Sequence, residues 1–72
     1  MNVDLSQYID LDSFGIYPTV MVSPHGDGYI VLMECNGHEK TKNMSKEMYE
    51  DLTMRQDFLI GMFYDLHSEV GR

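Results

Sequence analysis

The sequence predicts an α+β fold: a short N-terminal element, a three-stranded antiparallel β-meander, and a long C-terminal helix packed on the sheet. Three observations carry that prediction. Tyr29–Cys35 alternates with a period of two, Asn36-Gly37 follows it at once, and an apolar stripe with helical spacing begins after Ser45.

The N-terminal element starts at Asp4, a helix-capping residue with Gln7 three positions on as its capping-box partner. Leu5, Tyr8 and Ile9 then share one helical face, although the same stretch read as extended sets Ile9 and Leu11 on one side. Gly15 ends the element in either case. Ile16–Ser23 reads as the first strand, with Pro18 near its start because proline has no amide proton to give a sheet. Pro24-His25-Gly26-Asp27-Gly28 is turn chemistry. In the second strand Tyr29, Val31, Met33 and Cys35 line one face, while Ile30, Leu32 and Glu34 line the other. Apolar residues on both faces predict a central strand, or one whose outer face meets a partner. Asn36-Gly37 predicts a tight hairpin, since a type I′ turn needs positive φ at both central positions. His38–Lys42 returns as a polar third strand, with Lys40 and Lys42 blunting it as an edge.

Ser45 caps the helix, and Met44 with Tyr49 supplies a hydrophobic staple. Met48, Leu52, Leu59, Met62, Phe63, Leu66 and Val70 fall on one side and predict a core-facing stripe. Thr53 with Gln56 repeats the capping-box pattern and marks a position where the helix can break or kink. Gly61 inside the helix costs about 1 kcal/mol relative to alanine; it either permits a close backbone approach or is simply tolerated.

Residues 1–72 form a single domain with room for only a small core. With one cysteine no intrachain disulfide can form, so self-association is the remaining reinforcement. The first residues hold neither a basic stretch nor a long apolar run. The chain therefore reads as cytoplasmic, in a reducing compartment. Twelve acids against five bases give a net charge of −7, which argues against direct binding of nucleic acid or an anionic membrane.

The chemistry-bearing residues are sparse. Cys35-x-x-His38 has zinc-like spacing, but two ligands on a tight turn fall short of the four a structural site wants. Gly26-Asp27-Gly28 lacks the helix and lysine of a phosphate loop. No catalytic residue, metal or cofactor is expected, and the protein is read as a non-enzyme.

The charge pattern of the helix is more informative. Glu47, Glu50, Asp51, Asp57, Asp65 and Glu69 fall within about a third of an ideal wheel, in a ridge about 33 Å long. Only Lys46 lies near them along the helix. Met54 and Phe58 stand on the same face, as apolar points within the charge. Tyr49, Ile60, Gly61 and Tyr64 form a further flank, which predicts a homodimer interface.

In size, acidity, methionine content and hairpin-plus-helix plan, the chain resembles the small acidic proteins that phages make early to disable host enzymes. Among these are DNA mimics, whose carboxylates stand where a DNA-binding protein expects phosphates. The resemblance is one of type and rests on the ridge just named. It implies a non-enzymatic inhibitor in the cytoplasm of an infected bacterium. Its target would be a basic DNA-binding host protein: a nucleoid protein, nuclease, repair enzyme or RNA polymerase. The alternative is a protein-interaction module (a transcription regulator, adaptor or antitoxin) that binds through exposed hydrophobes of the Tyr29–Cys35 strand or the helix.

Overall fold

A computed structural model describes residues 1–71. The elements in order are β1 (Asn2–Val3), a 3-10 turn (Leu5–Gln7), α1 (Leu11–Phe14), β2 (Thr19–His25), β3 (Gly28–Cys35), β4 (His38–Met44), α2 (Lys46–Glu50) and α3 (Leu52–Val70). The α+β class fits, but the sheet has four strands, not three. They are antiparallel, in the order β1-β2-β3-β4.

The added strand is the extended N-terminus. Asn2 and Val3 pair with Met21 and Val20, and the Met1 ammonium and carbonyl bond to the Val22 carbonyl and amide at 2.8 and 2.9 Å. Two residues are too few to show a period of two, so the sequence pattern could not reveal them. β1 nevertheless gives the outer edge of β2 the backbone partners it would otherwise lack. Asp4 then turns the chain away. Its carboxylate accepts from the Ser6 amide and hydroxyl rather than engaging Gln7, and the turn it caps is 3-10.

The first hairpin also differs from expectation. β2 begins after Pro18 and runs through Pro24 to His25, so the turn is only Gly26-Asp27. Pro24 is tolerated because antiparallel bonding alternates. With His25 and Gly28 flanking the turn, the Pro24 nitrogen points away from β3, beyond the end of β1. The Asn36-Gly37 turn is as read: φ is 53° and 83°, and the Gly37 amide donates to the Glu34 carboxylate.

The core fills one side of the sheet. Val20, Val22, Val31, Met33, Cys35 and Met44 meet Leu59, Met62, Phe63 and Leu66 of α3, with Leu5, Leu11 and Ile16 closing one end. Each fully buried leucine or phenylalanine contributes roughly 1.5–3 kcal/mol. Phe14 ties α1 to α3, edge-on to Phe63 at 5.0 Å between centroids. The opposite side of the sheet is covered by no element among the described residues. No helix among the described residues is long and apolar enough to cross a membrane.

The C-terminal segment is two helices, not one continuous helix. Asp51 is extended (φ −88°, ψ 112°), ends α2 and caps α3, its carboxylate accepting from the Met54 amide at 3.0 Å. The break precedes the Thr53 pattern because Asp51 is the better cap and Arg55 seals the other side. The Arg55 guanidinium donates to the Tyr49 carbonyl at 3.0 Å and lies over the Tyr49 ring. Breaking here changes the phase of the stripe. Leu52, expected in the core, is 60% exposed.

Two glycines give opposite expectations. A methyl on Gly28 would sit 2.6 Å from the Met44 carbonyl oxygen, whereas nothing lies within 4 Å of one on Gly61. Gly28→Ala should therefore lose about 1–3 kcal/mol in urea denaturation, while Gly61→Ala gains about 1 kcal/mol. A second expectation concerns pH. The two Ser6 bonds favour ionised Asp4 and hold its carboxyl below the usual aspartate range. Its contribution is present above that range and is lost as pH falls through the lowered value. An NMR titration of Asp4 should show the low midpoint, and Ser6→Ala should raise it.

Candidate functional site

The six carboxylates do not form one strip. Glu47 and Glu50 lie on α2, Asp51 is the extended joint, and Asp57, Asp65 and Glu69 lie on α3. Lysines from the sheet reach two of them. Lys40 pairs with Glu69 at 2.8 Å and Lys42 with Asp65 at 3.7 Å. Lys46 stands 3.9 Å from Glu50, with both side chains more than half exposed.

The lysine contacts have a simple origin. Lys40 and Lys42 pair with Met33 and Val31 across β3–β4, so they occupy core-side positions of an edge strand. Their methylene stems cover the margin of the core while their ammonium groups reach out to α3. The helix sequence alone cannot show this neutralisation, because the lysines approach from β4. The alternation Lys40-Thr41-Lys42 was the available signal. It marked an edge, but not which way the lysines lean.

Of the six carboxylates, Glu47, Asp51 and Asp57 carry no ion pair among the described residues; all three lie at or near the α2–α3 elbow, where Asp51 caps α3. There Met48, Met54, Asp57 and Phe58 line an open cleft of about 350 Å³. Met54 is 47% exposed, and Met48 and Phe58 are half-buried. Arg55 brings no charge to this cleft, since it is drawn to Tyr49 on another side of the helix. The elbow is held rigidly. Ser45 caps α2 by accepting from the Met48 amide at 3.1 Å, and Tyr49 stacks on Tyr29 with centroids 3.9 Å apart.

The residues of the expected dimer flank go separate ways. Tyr49 is engaged by Tyr29 and Arg55. Ile60 is half-buried and Gly61 faces open space. Tyr64 is exposed and stands edge-on to Phe14 at 5.7 Å. The sequence reading did point to the outer side of β3. Leu32 lies directly across from Met21, both exposed, with Ile30 half-buried beside them.

Among the described residues, no three His, Cys, Asp or Glu side chains are grouped to hold a metal ion. Cys35 is buried in the core, and His38, its cross-strand partner, is exposed. Among the described residues, no buried side-chain nitrogen or oxygen lacks a hydrogen-bond partner, so no orphaned polar group there marks a ligand site. The chain matches no protein-family model, no curated protein and no solved structure.

The elbow depends on its cap. Asp51→Ala should cost roughly 0.5–2 kcal/mol in thermal or urea unfolding, and Asp51→Asn should retain most of that stability because asparagine caps as well.

Proposed function

We propose that this chain is a non-enzymatic binding module that acts by occupying a surface of a basic protein, with the α2–α3 elbow as its contact. The observation that carries this reading is the cleft of Met48, Met54 and Phe58 beside Asp57, an apolar seat next to a carboxylate that carries no ion pair among the described residues. Methionine is flexible and polarisable, so such a seat accepts varied apolar anchors. Asp57 in its lining suits a lysine or arginine that flanks the anchor. The net charge of −7 steers a cationic partner inward, and the effect fades with salt. Affinity then comes from burying the anchor.

This keeps the acidic inhibitor expected from the sequence but moves its weight. Duplex mimicry asks for carboxylates at phosphate-like spacing along a continuous strip. Here Asp65 and Glu69 are engaged by Lys42 and Lys40, and Asp51 is turned to cap α3. A basic amphipathic surface, with both charge and an apolar ridge, suits the elbow better than a purely phosphate-binding groove.

Fluorescence anisotropy with two labelled helical peptides of equal positive charge separates the readings. One carries a leucine face and the other only polar residues. The leucine peptide should bind at least tenfold tighter, Met54→Lys should remove most of that difference, and raised salt should weaken both peptides. Equal binding of the two peptides, untouched by Met54→Lys, would overturn the elbow and leave charge alone as the basis of recognition.

A further inference from the structure

The methionines divide sharply by exposure. Met33, Met44 and Met62 are sealed in the core, each at most 2% exposed, whereas Met1, Met21 and Met54 are each 47% exposed or more. Of the exposed three, Met54 lines the elbow cleft, with half-buried Met48 and Phe58 beside it. Met21 stands on the outer side of the sheet across from Leu32, and the Met1 sulfur accepts from the Tyr49 hydroxyl at 3.7 Å. Neither lines the cleft.

We infer that Met54 is a reversible oxidation site, and that its sulfoxide closes the apolar seat of the elbow to its partner. The oxidant is a peroxide. With hydrogen peroxide, a lone pair of the Met54 sulfur attacks one peroxide oxygen, the O–O bond breaks and an S–O bond forms. The departing hydroxide takes the proton left on the new S–OH group and becomes water. The sulfur has then given up two electrons and the peroxide has taken them. Reduction runs the other way: two thiols from another molecule join as a disulfide, and the sulfoxide oxygen leaves as water. Cys35 takes no part in this, being single and buried.

The lining of the cleft sets the consequence. Met48, Met54 and Phe58 offer no side-chain hydrogen-bond donor, and ionised Asp57 only accepts. The Met54 amide is already given to the Asp51 carboxylate. A sulfoxide oxygen in this cleft therefore bonds to water. An apolar anchor entering the seat must strip that water and leave the acceptor bare, which is unfavourable. A lysine of the partner can donate to the same oxygen. Oxidation thus removes the preference for an apolar anchor and leaves the charge attraction in place. The fold is not at stake, because Met54 lies outside the core made by Leu59, Met62, Phe63 and Leu66. The sealed methionines meet peroxide only when the chain opens. The effect on binding rests on the elbow as the contact surface; the selective chemistry of Met54 does not.

Graded hydrogen peroxide with peptide mass mapping gives the order of conversion. Met54 should convert well before Met33, Met44 and Met62, with an unchanged far-ultraviolet spectrum. At the lowest dose that converts Met54, the advantage of the leucine peptide over the polar peptide should fall from about tenfold to about twofold or less. Methionine sulfoxide reductases for both epimers, with dithiothreitol, should restore it. Met54→Leu should show the same advantage before and after peroxide, whatever its starting size, while Met21→Leu should lose it as wild type does. A Met54 that converts no faster than Met62, an advantage that survives the Met54 sulfoxide, or a loss that persists in Met54→Leu would overturn the inference. A reduced chain with no preference for the leucine peptide would instead overturn the elbow as the contact, and the switch with it.

Discussion

A chain this short can build one core, and its single long helix can cover one side of the sheet. Everything else follows from that constraint. Leu59, Met62, Phe63 and Leu66 need the surface made by Val20, Val22, Val31 and Met33, and no element among the described residues covers Met21, Ile30 and Leu32. An antiparallel sheet can leave one side to water when that side is polar. Here it is only partly so. The margins of the core are closed with borrowed parts: the stems of Lys40 and Lys42 along one edge, and Phe14 with the N-terminal segment at one end.

The same constraint shapes the electrostatics. A seven-residue edge strand next to an acidic helix invites cross-layer ion pairs, and surface pairs of this kind contribute little to stability, about 0–1 kcal/mol each. Their larger effect is on the field. They quieten the C-terminal half of α3 and leave the elbow comparatively negative. Where the carboxylates sit in sequence is therefore a poor guide to where the negative potential sits in space.

Much of the fold was legible because local signals agreed with the global arrangement. The period of two in Tyr29–Cys35, the positive-φ demand met by Asn36-Gly37, and the stripe from Leu59 to Leu66 each specify one conformation. What stayed hidden had no local signature. Asn2-Val3 became a strand only because β2 offered an unpaired edge. The break at Asp51 depends on Arg55 and on Tyr29, a residue twenty positions before Tyr49. Of the elbow, Met54 and Phe58 were visible on the acidic face, but Met48 had been assigned to the core stripe. Only the break brings it beside them. The lysine contacts were invisible for the same reason: they cross from one element to another.

The stacked Tyr29 and Tyr49 rings, with the Arg55 guanidinium against the second, have a use beyond stability. The chain has no tryptophan, so its near-ultraviolet optical activity comes mainly from tyrosine. Two aromatic chromophores held 3.9 Å apart couple strongly, and their coupling depends on the angle between them. One ring belongs to the sheet and the other to α2, so any hinge motion between those layers changes the dichroism. The molecule thus carries an intrinsic optical gauge of its own joint, readable without a label.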